Sequence, residues 1–182
     1  MGANYISLGL YKQARSLFEQ ALPEIFPTQD TRGQVSFLEF LGRVLLAMGD
    51  VPGAARRFSE ARELASSQGF AARVCESTAD LAACAIMQGQ LDEARNCVHG
   101  AWNHLKEYGW MGMGYPGNVY RTCAETFDAL GSMVSFCAIL ESGHQTLMEV
   151  ADTINVPAWR QSFLENVPEH RAIMEMWERS KL

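Results

Sequence analysis

Three stretches of the chain repeat one another at a fixed interval, and this limits the fold more than any other property of the sequence. Gly9, Gly49 and Gly89 stand 40 residues apart, and each opens the order Gly, apolar, Ala, bulky, Ala. The apolar position holds Tyr11, Val51 and Leu91, and the first small position holds Ala14, Ala54 and Ala94. The bulky position holds Phe18, Phe58 and Val98, and the last holds Ala21, Ala61 and Ala101. Each glycine ends a preceding helix, where a left-handed residue is cheap only without a Cβ. An alanine where two helices cross lets their backbones approach, and the bulky residue four positions on shares its face. The alternation of small and large is therefore a packing code for helices nested in pairs.

A matching first helix precedes each glycine. It carries Leu38, Leu41-Gly42, Leu45 and Met48 before Gly49, and Thr78, Leu81-Ala82, Ala85 and Ile86 before Gly89. Apolar residues at such i, i+3, i+4, i+7 spacing mark an amphipathic helix. Taken together, these residues resemble the tetratricopeptide (TPR) motif, whose order is Trp, Leu-Gly, Tyr, Gly, Ala, aromatic, Ala across an antiparallel helix pair. The match covers Tyr5 and Gly9 to Ala21, Leu41-Gly42 and Gly49 to Ala61, and Leu81-Ala82 and Gly89 to Ala101. The interval exceeds the motif's common period of about 34 residues, which implies longer helices or loops.

The resemblance implies an all-α, TPR-like helical-hairpin solenoid of about four repeats in a single domain, 1–182, with repeats near 3–31, 32–69, 70–110 and 116–153. In the fourth, degraded repeat, Tyr120, Cys123-Ala124, Phe127 and Leu130-Gly131 stand for the first helix, and Met133, Phe136, Leu140 and Gly143 for the second. Phe136 occupies the alanine position, so packing there must differ. A solenoid needs its last hairpin covered, and 157–180 is the expected cap. There Pro168-Glu169 opens a helix, with proline at a tolerated first position and an acid by the positive helix end. The run Ser162 to Arg171 resembles the end of TPR regions in bacterial multidomain regulators, which carry an ATPase, cyclase or DNA-binding activator module ahead of the repeats. Only eight residues precede Gly9, fewer than the roughly three to four turns of a first helix. The chain is thus expected to be a segment of a longer protein. Tyr5, Ile6, Leu8 and Leu10 would form an apolar edge open to contacts, a second copy included.

Composition narrows the function. A formal net charge of −6, with no basic run longer than Arg56-Arg57, argues against nucleic-acid contact, which requires replacing phosphate counterions. No stretch reaches the ~18 uncharged apolar residues of a membrane span, and the N-terminus lacks a signal-peptide pattern. The five cysteines, Cys75, Cys84, Cys97, Cys123 and Cys137, are odd in number and contain no C-x-x-C. Small buried thiols of a cytoplasmic protein are expected rather than disulfides or a zinc site.

Motifs for chemistry are weak. Gly112-Met113-Gly114-Tyr115-Pro116-Gly117 spells G-x-G-x-x-G, yet a helical end, Trp102 to Tyr108, stands where the dinucleotide fingerprint needs a strand. A flexible connection is expected there, ringed by Tyr108, Trp110, Met111, Met113, Tyr115 and Tyr120. His99, His104, His144 and His170 make no metal spacing, and Cys97 and His99 point to different helix faces. The acid pairs Glu76/Asp80 and Glu125/Asp128 read as solvated residues or as ligands for a basic peptide. No catalytic, cofactor or metal residue is assigned, and no enzyme activity is expected.

In TPR proteins the first helices line a concave groove. The resemblance places that groove on Ser36, Glu39, Arg43, Leu46 and Ala47, then on Glu76, Ala79, Ala83, Ile86 and Met87, then on Asn118, Arg121, Glu125, Asp128 and Ala129. It lacks the several Lys, Asn and Arg positions of TPRs that clamp acidic peptide tails. The mildly acidic lining suits a neutral or somewhat basic peptide or helix. The function implied is a protein-interaction or regulatory scaffold module, with a small-ligand sensor holding an effector near Met87, Trp110 and Tyr115 as the alternative.

Overall fold

The computed structural model describes residues 8–27 and 29–181. Tyr5 and Ile6 of the expected apolar edge lie outside them, while Leu8 and Leu10 are exposed. Nine helices and no strand occur among the described residues. They are α1 (Tyr11–Ile25), α2 (Thr31–Ala47), α3 (Val51–Ser67), α4 (Ala71–Met87), α5 (Leu91–Tyr108), α6 (Pro116–Ala129), α7 (Met133–Asp152), α8 (Pro157–Glu165) and α9 (Pro168–Ser180). None is long and apolar enough to cross a membrane.

The helices pair as hairpins, α2 with α3, α4 with α5, and α6 with α7, and α1 packs on α2. The first helices stack in turn, α2 on α4 and α4 on α6. Three-residue turns close the hairpins, each with a glycine in the left-handed region: Gly49 at φ 83°, Gly89 at 71° and Gly131 at 67°. The helix starts after two acids are capped. The Asp30 carboxylate accepts the Gly33 N–H at 2.9 Å and that of Asp50 accepts the Gly53 N–H at 3.0 Å. Helix α9 lies against both α6 and α7, where the first helix of a further hairpin would stack. Its Ile173 and Met176 are buried there, so α9 covers part of the α6–α7 hairpin with one apolar stripe.

The repeated small and bulky residues are almost all buried. Ala14, Ala54 and Ala94 are fully buried, as are Phe58, Val98 and Ala61, while Phe18 and Ala101 are nearly so and Ala21 is half-buried. Gly42 shows why the motif demands a small residue: a Cβ there would lie 2.5 Å from the Phe58 ring. The fourth hairpin keeps most of the pattern: Ala124 on α6 and Leu140 on α7 are buried at the places of Gly42 and Phe58, and Gly143, at the place of Ala61, lies against Tyr120, where a Cβ would come within 3.1 Å of its side chain. Phe136, at the alanine position, is half-buried against the core rim. Four cysteines are buried free thiols, and Cys137 is exposed.

Candidate partner-binding groove

Helices α2, α4 and α6 present one face side by side, and a ladder of charged and polar side chains crosses it. Arg73 of α4 donates from Nη2 to Ser36 Oγ at 2.6 Å and to Glu39 of α2, and from Nη1 to Glu76 at 2.6 Å. Ser77 donates to the other Glu39 oxygen at 2.9 Å. One turn on, Arg43 of α2 donates from Nε to Asp80 of α4 at 3.1 Å, and Asp80 accepts from Asn118 of α6 at 2.9 Å. Asn118 accepts from Arg121 at 2.8 Å, and Arg121 closes on Glu125 at 2.6 Å. Each bond between first helices joins residues 37 or 38 apart in sequence, apart from the 34-residue link of Arg73 to Glu39. Each such bond thus joins the first helix of one hairpin to that of the next.

The structure thus brings Ser36, Glu39 and Glu76 together around Arg73, and Arg43, Asn118, Arg121 and Glu125 together through Asp80. Glu39, Glu76, Asp80 and Asn118 are buried, Ala79 is wholly so, and Ser36, Arg43 and Arg121 are half-buried. Glu76 and Asp80 are therefore not solvated acids awaiting a basic peptide. Their carboxylates lie between the arginines of neighbouring turns, because two buried charges are tolerated only when paired. Outside these two groups, Leu46, Ala83 and Ile86 are half-buried, and Ala47, Met87, Asp128 and Ala129 are exposed. Of the residues expected to line a groove, Leu46, Ala83, Met87, Arg121, Glu125 and Asp128 keep some or most of their surface open.

Burial and neighbouring charge compete at Glu39 and Arg43, with opposite outcomes. Burial pushes Glu39 up to about 7, with Glu76 adding to the rise, and outweighs Arg73, Arg43 and the Ser77 hydroxyl, which pull the other way. Burial works against the charge of Arg43, yet Asp80, Glu39 and Glu76 together hold that guanidinium above its ordinary value. Cys75 and Cys84 behind the ladder are pushed up to about 12, first by burial and then by Glu76 and Asp80 respectively, which leaves them poor nucleophiles.

The glycine-rich segment between α5 and α6 does not form a nucleotide loop; it folds back over α4. Gly109 and Gly112 adopt positive φ, at 68° and 83°. A side chain at Gly114 would collide with the Arg73 guanidinium. Tyr115 ends the segment: its N–H donates to Glu76 Oε1 at 2.6 Å. Its ring meets Phe40 of α2 edge-on, with centroids 5.2 Å apart at 81°, and lies 5.1 Å from the Arg43 guanidinium carbon. Behind the loop, a cavity of about 340 Å³ opens between α6, α7 and the cap, with Trp110, Tyr115, Tyr120, Phe163 and His170 in its wall. The Nδ1–H of His170 donates to the Phe163 carbonyl at 2.8 Å. Met87, expected beside Trp110 and Tyr115, is not among the residues of this cavity.

Sequence reasoning missed Arg73, Ser77 and Phe40. The signal for Arg73 and Ser77 was present as polar residues on one first helix, α4, about one repeat from Ser36 and Glu39 on α2. Phe40 gave none, because its partner is a loop residue 75 positions away.

No family model matches the sequence, and no curated protein matches it significantly. Solved structures match nearly the whole chain. BtubC (BKLC) from P. vanneervenii is 13% identical, with 99% of this chain and 76% of that chain covered and a TM-score of 0.60. The nearly identical TPR-like repeats of a Podosopora anserina protein assigned as a kinesin light chain are 17% identical, covering 98% and 93% of the two chains at a TM-score of 0.61. A point variant of that protein gives 18%, the same coverage and 0.60. With its helical hairpins stacked in order and these matches over nearly its whole length, the chain has the fold of TPR-like repeat solenoids.

Proposed function

We propose that the chain is a protein-interaction scaffold that holds a protein or peptide on the face of α2, α4 and α6 and catalyses nothing. One contrast carries this reading. The middle of that face is satisfied internally by buried ion pairs, while Met87, 58% exposed, and the half-buried Leu46 and Ala83 remain as apolar anchors, with Arg121, Glu125 and Asp128 alongside. Anchors bordered by charge fit a neutral or mildly basic segment. The run Ser162 to Arg171, and its resemblance to the ends of bacterial regulators, supports a place as the C-terminal repeat region of a larger signalling or transcription regulator in the cytoplasm. Exposed Leu8 and Leu10 would let a second copy associate at the other end.

A photo-crosslinking amino acid at Ala83 or Met87 should give a discrete adduct in cells, and the same group at Asn103, exposed on α5, should give none. Equal adducts from both faces, or none from the groove, would count against the scaffold reading. The cavity beside Trp110 and Tyr115 favours a second reading, a sensor of a small effector, because its volume lies at the lower end of small-molecule sites. A metabolite thermal-shift screen tests it: a bound effector must raise the apparent stability, and no shift from any compound would exclude it.

A further inference from the structure

We infer that Tyr115 is a self-ligand: its ring occupies, within the same chain, a subsite on α2 that takes an aromatic side chain of the partner peptide. The inference rests on the groove reading and specifies what the groove recognises. Tyr115 belongs to the connection before the fourth hairpin, yet its ring packs on the first helix of the second. There Phe40 meets it edge-on at 5.2 Å and the Arg43 guanidinium lies at 5.1 Å. Edge-to-face aromatic and cation–π contacts both favour an aromatic ring over an aliphatic group. The ring is not core filling, because Tyr115 remains 41% exposed.

The cradle does not depend on Tyr115 for its shape. Phe40 is stacked on Phe18 at 6.1 Å and 13°, and Arg43 is fixed by Asp80 at 3.0 Å. Both project from a helix whose Leu41, Val44 and Leu45 are buried. The backbone of Tyr115 is anchored separately: its N–H is held by Glu76, and its carbonyl accepts from Asn118 and Val119 at 3.1 and 3.3 Å. Rotation about the side-chain bonds therefore clears the subsite without unfolding α6 or the loop. An incoming Tyr, Phe or Trp on an extended peptide would then meet the same ring edge and guanidinium, and competition from Tyr115 sets how tightly it binds.

The probe is a fluorescein-labelled peptide with the chain's own sequence, Gly-Met-Gly-Tyr-Pro-Gly, titrated by anisotropy into the full chain. Tyr115→Ala should bind it about tenfold or more tighter than the wild type, the gain expected if the ring fills the subsite about 90% of the time. Tyr115→Phe should bind as the wild type does. Phe40→Ala added to Tyr115→Ala should abolish the gain, as should replacing the peptide tyrosine by alanine. Circular dichroism checks that each variant is folded, and Tyr115→Ala changes only a half-exposed side chain. Equal binding by wild type and Tyr115→Ala, including no binding by either, overturns the inference. If groove crosslinks to a partner persist in that case, the scaffold reading stands alone. If the peptide gain appears without any groove adduct, the scaffold reading fails and the subsite remains.

Discussion

Replacing Glu39 by glutamine should reverse the pH dependence of stability on the acid side of neutrality. Glu39 is almost wholly buried, and burial raises it from 4.5 to about 7. Between those values the folded chain binds a proton that the unfolded chain has lost. Raising the pH through this window therefore withdraws stability, which is fully present below 4.5 and gone once the pH passes about 7. At ~1.4 kcal/mol for each pH unit, the fall amounts to about 3 kcal/mol. Two histidines act with the opposite sign. His104 and His144 are held below 6.5 by burial, against Glu107 in the first case and with Lys181 in the second. Their contribution is complete above 6.5 and is lost as the pH falls. Both are only partly buried, so they are the weaker terms. A glutamine in place of Glu39 would keep the shape and one acceptor oxygen for the Arg73 guanidinium, its amide NH2 then donating to the Ser77 hydroxyl oxygen, and it cannot titrate. Urea denaturation from about pH 5 to about pH 8 should show the wild-type midpoint falling, and that of Glu39→Gln level or rising. A variant that loses stability with pH as steeply as the wild type would refute the assignment of the effect to this buried carboxylate.

Arg73→Ala leaves Glu39 and Glu76 buried without their guanidinium and should cost about 3–5 kcal/mol by chemical denaturation; a loss below about 1 kcal/mol would mean that the rung is solvated. Gly42→Ala forces a methyl within 2.5 Å of the fully buried Phe58 ring. The overpacking cost of about 1–3 kcal/mol outweighs a helix-propensity gain of up to about 1 kcal/mol, so its Tm should fall, and a rise would contradict the close crossing of α2 and α3. In the native protein a water-soluble disulfide reagent should label Cys137 rapidly and the four buried thiols only on unfolding. Fast labelling in Cys137→Ser would show that the core opens.

The architecture was legible because it is written in the most local terms. Gly49 and Gly89 announce turns through their missing Cβ, and Ala54 and Phe58 announce a crossing through four-residue spacing. The fourth hairpin was harder: Ala124, Leu140 and Gly143 keep their places, but Phe136 stands where the other repeats have alanine, and its packing cannot be read from the motif. On the face of the first helices the charges were misread. Glu39, Glu76 and Asn118 do face neighbouring first helices, but whether a carboxylate on such a face meets water or an arginine depends on how far Arg73 and Arg43 reach across the stack. Tyr115 on Phe40 was beyond reach for a different reason: a glycine-rich connection has no periodicity from which its path can be read.

A row of guanidinium–carboxylate rungs also fixes distances. Oily helix faces tolerate sliding by a fraction of a turn, whereas Arg43 on Asp80 and Arg73 across Ser36, Glu39 and Glu76 accept only one registry. The span from α2 to α6 is therefore a ruler with its graduations locked. Because those rungs lie largely out of water, added salt should leave that gauge unchanged even as it weakens contacts at the rim.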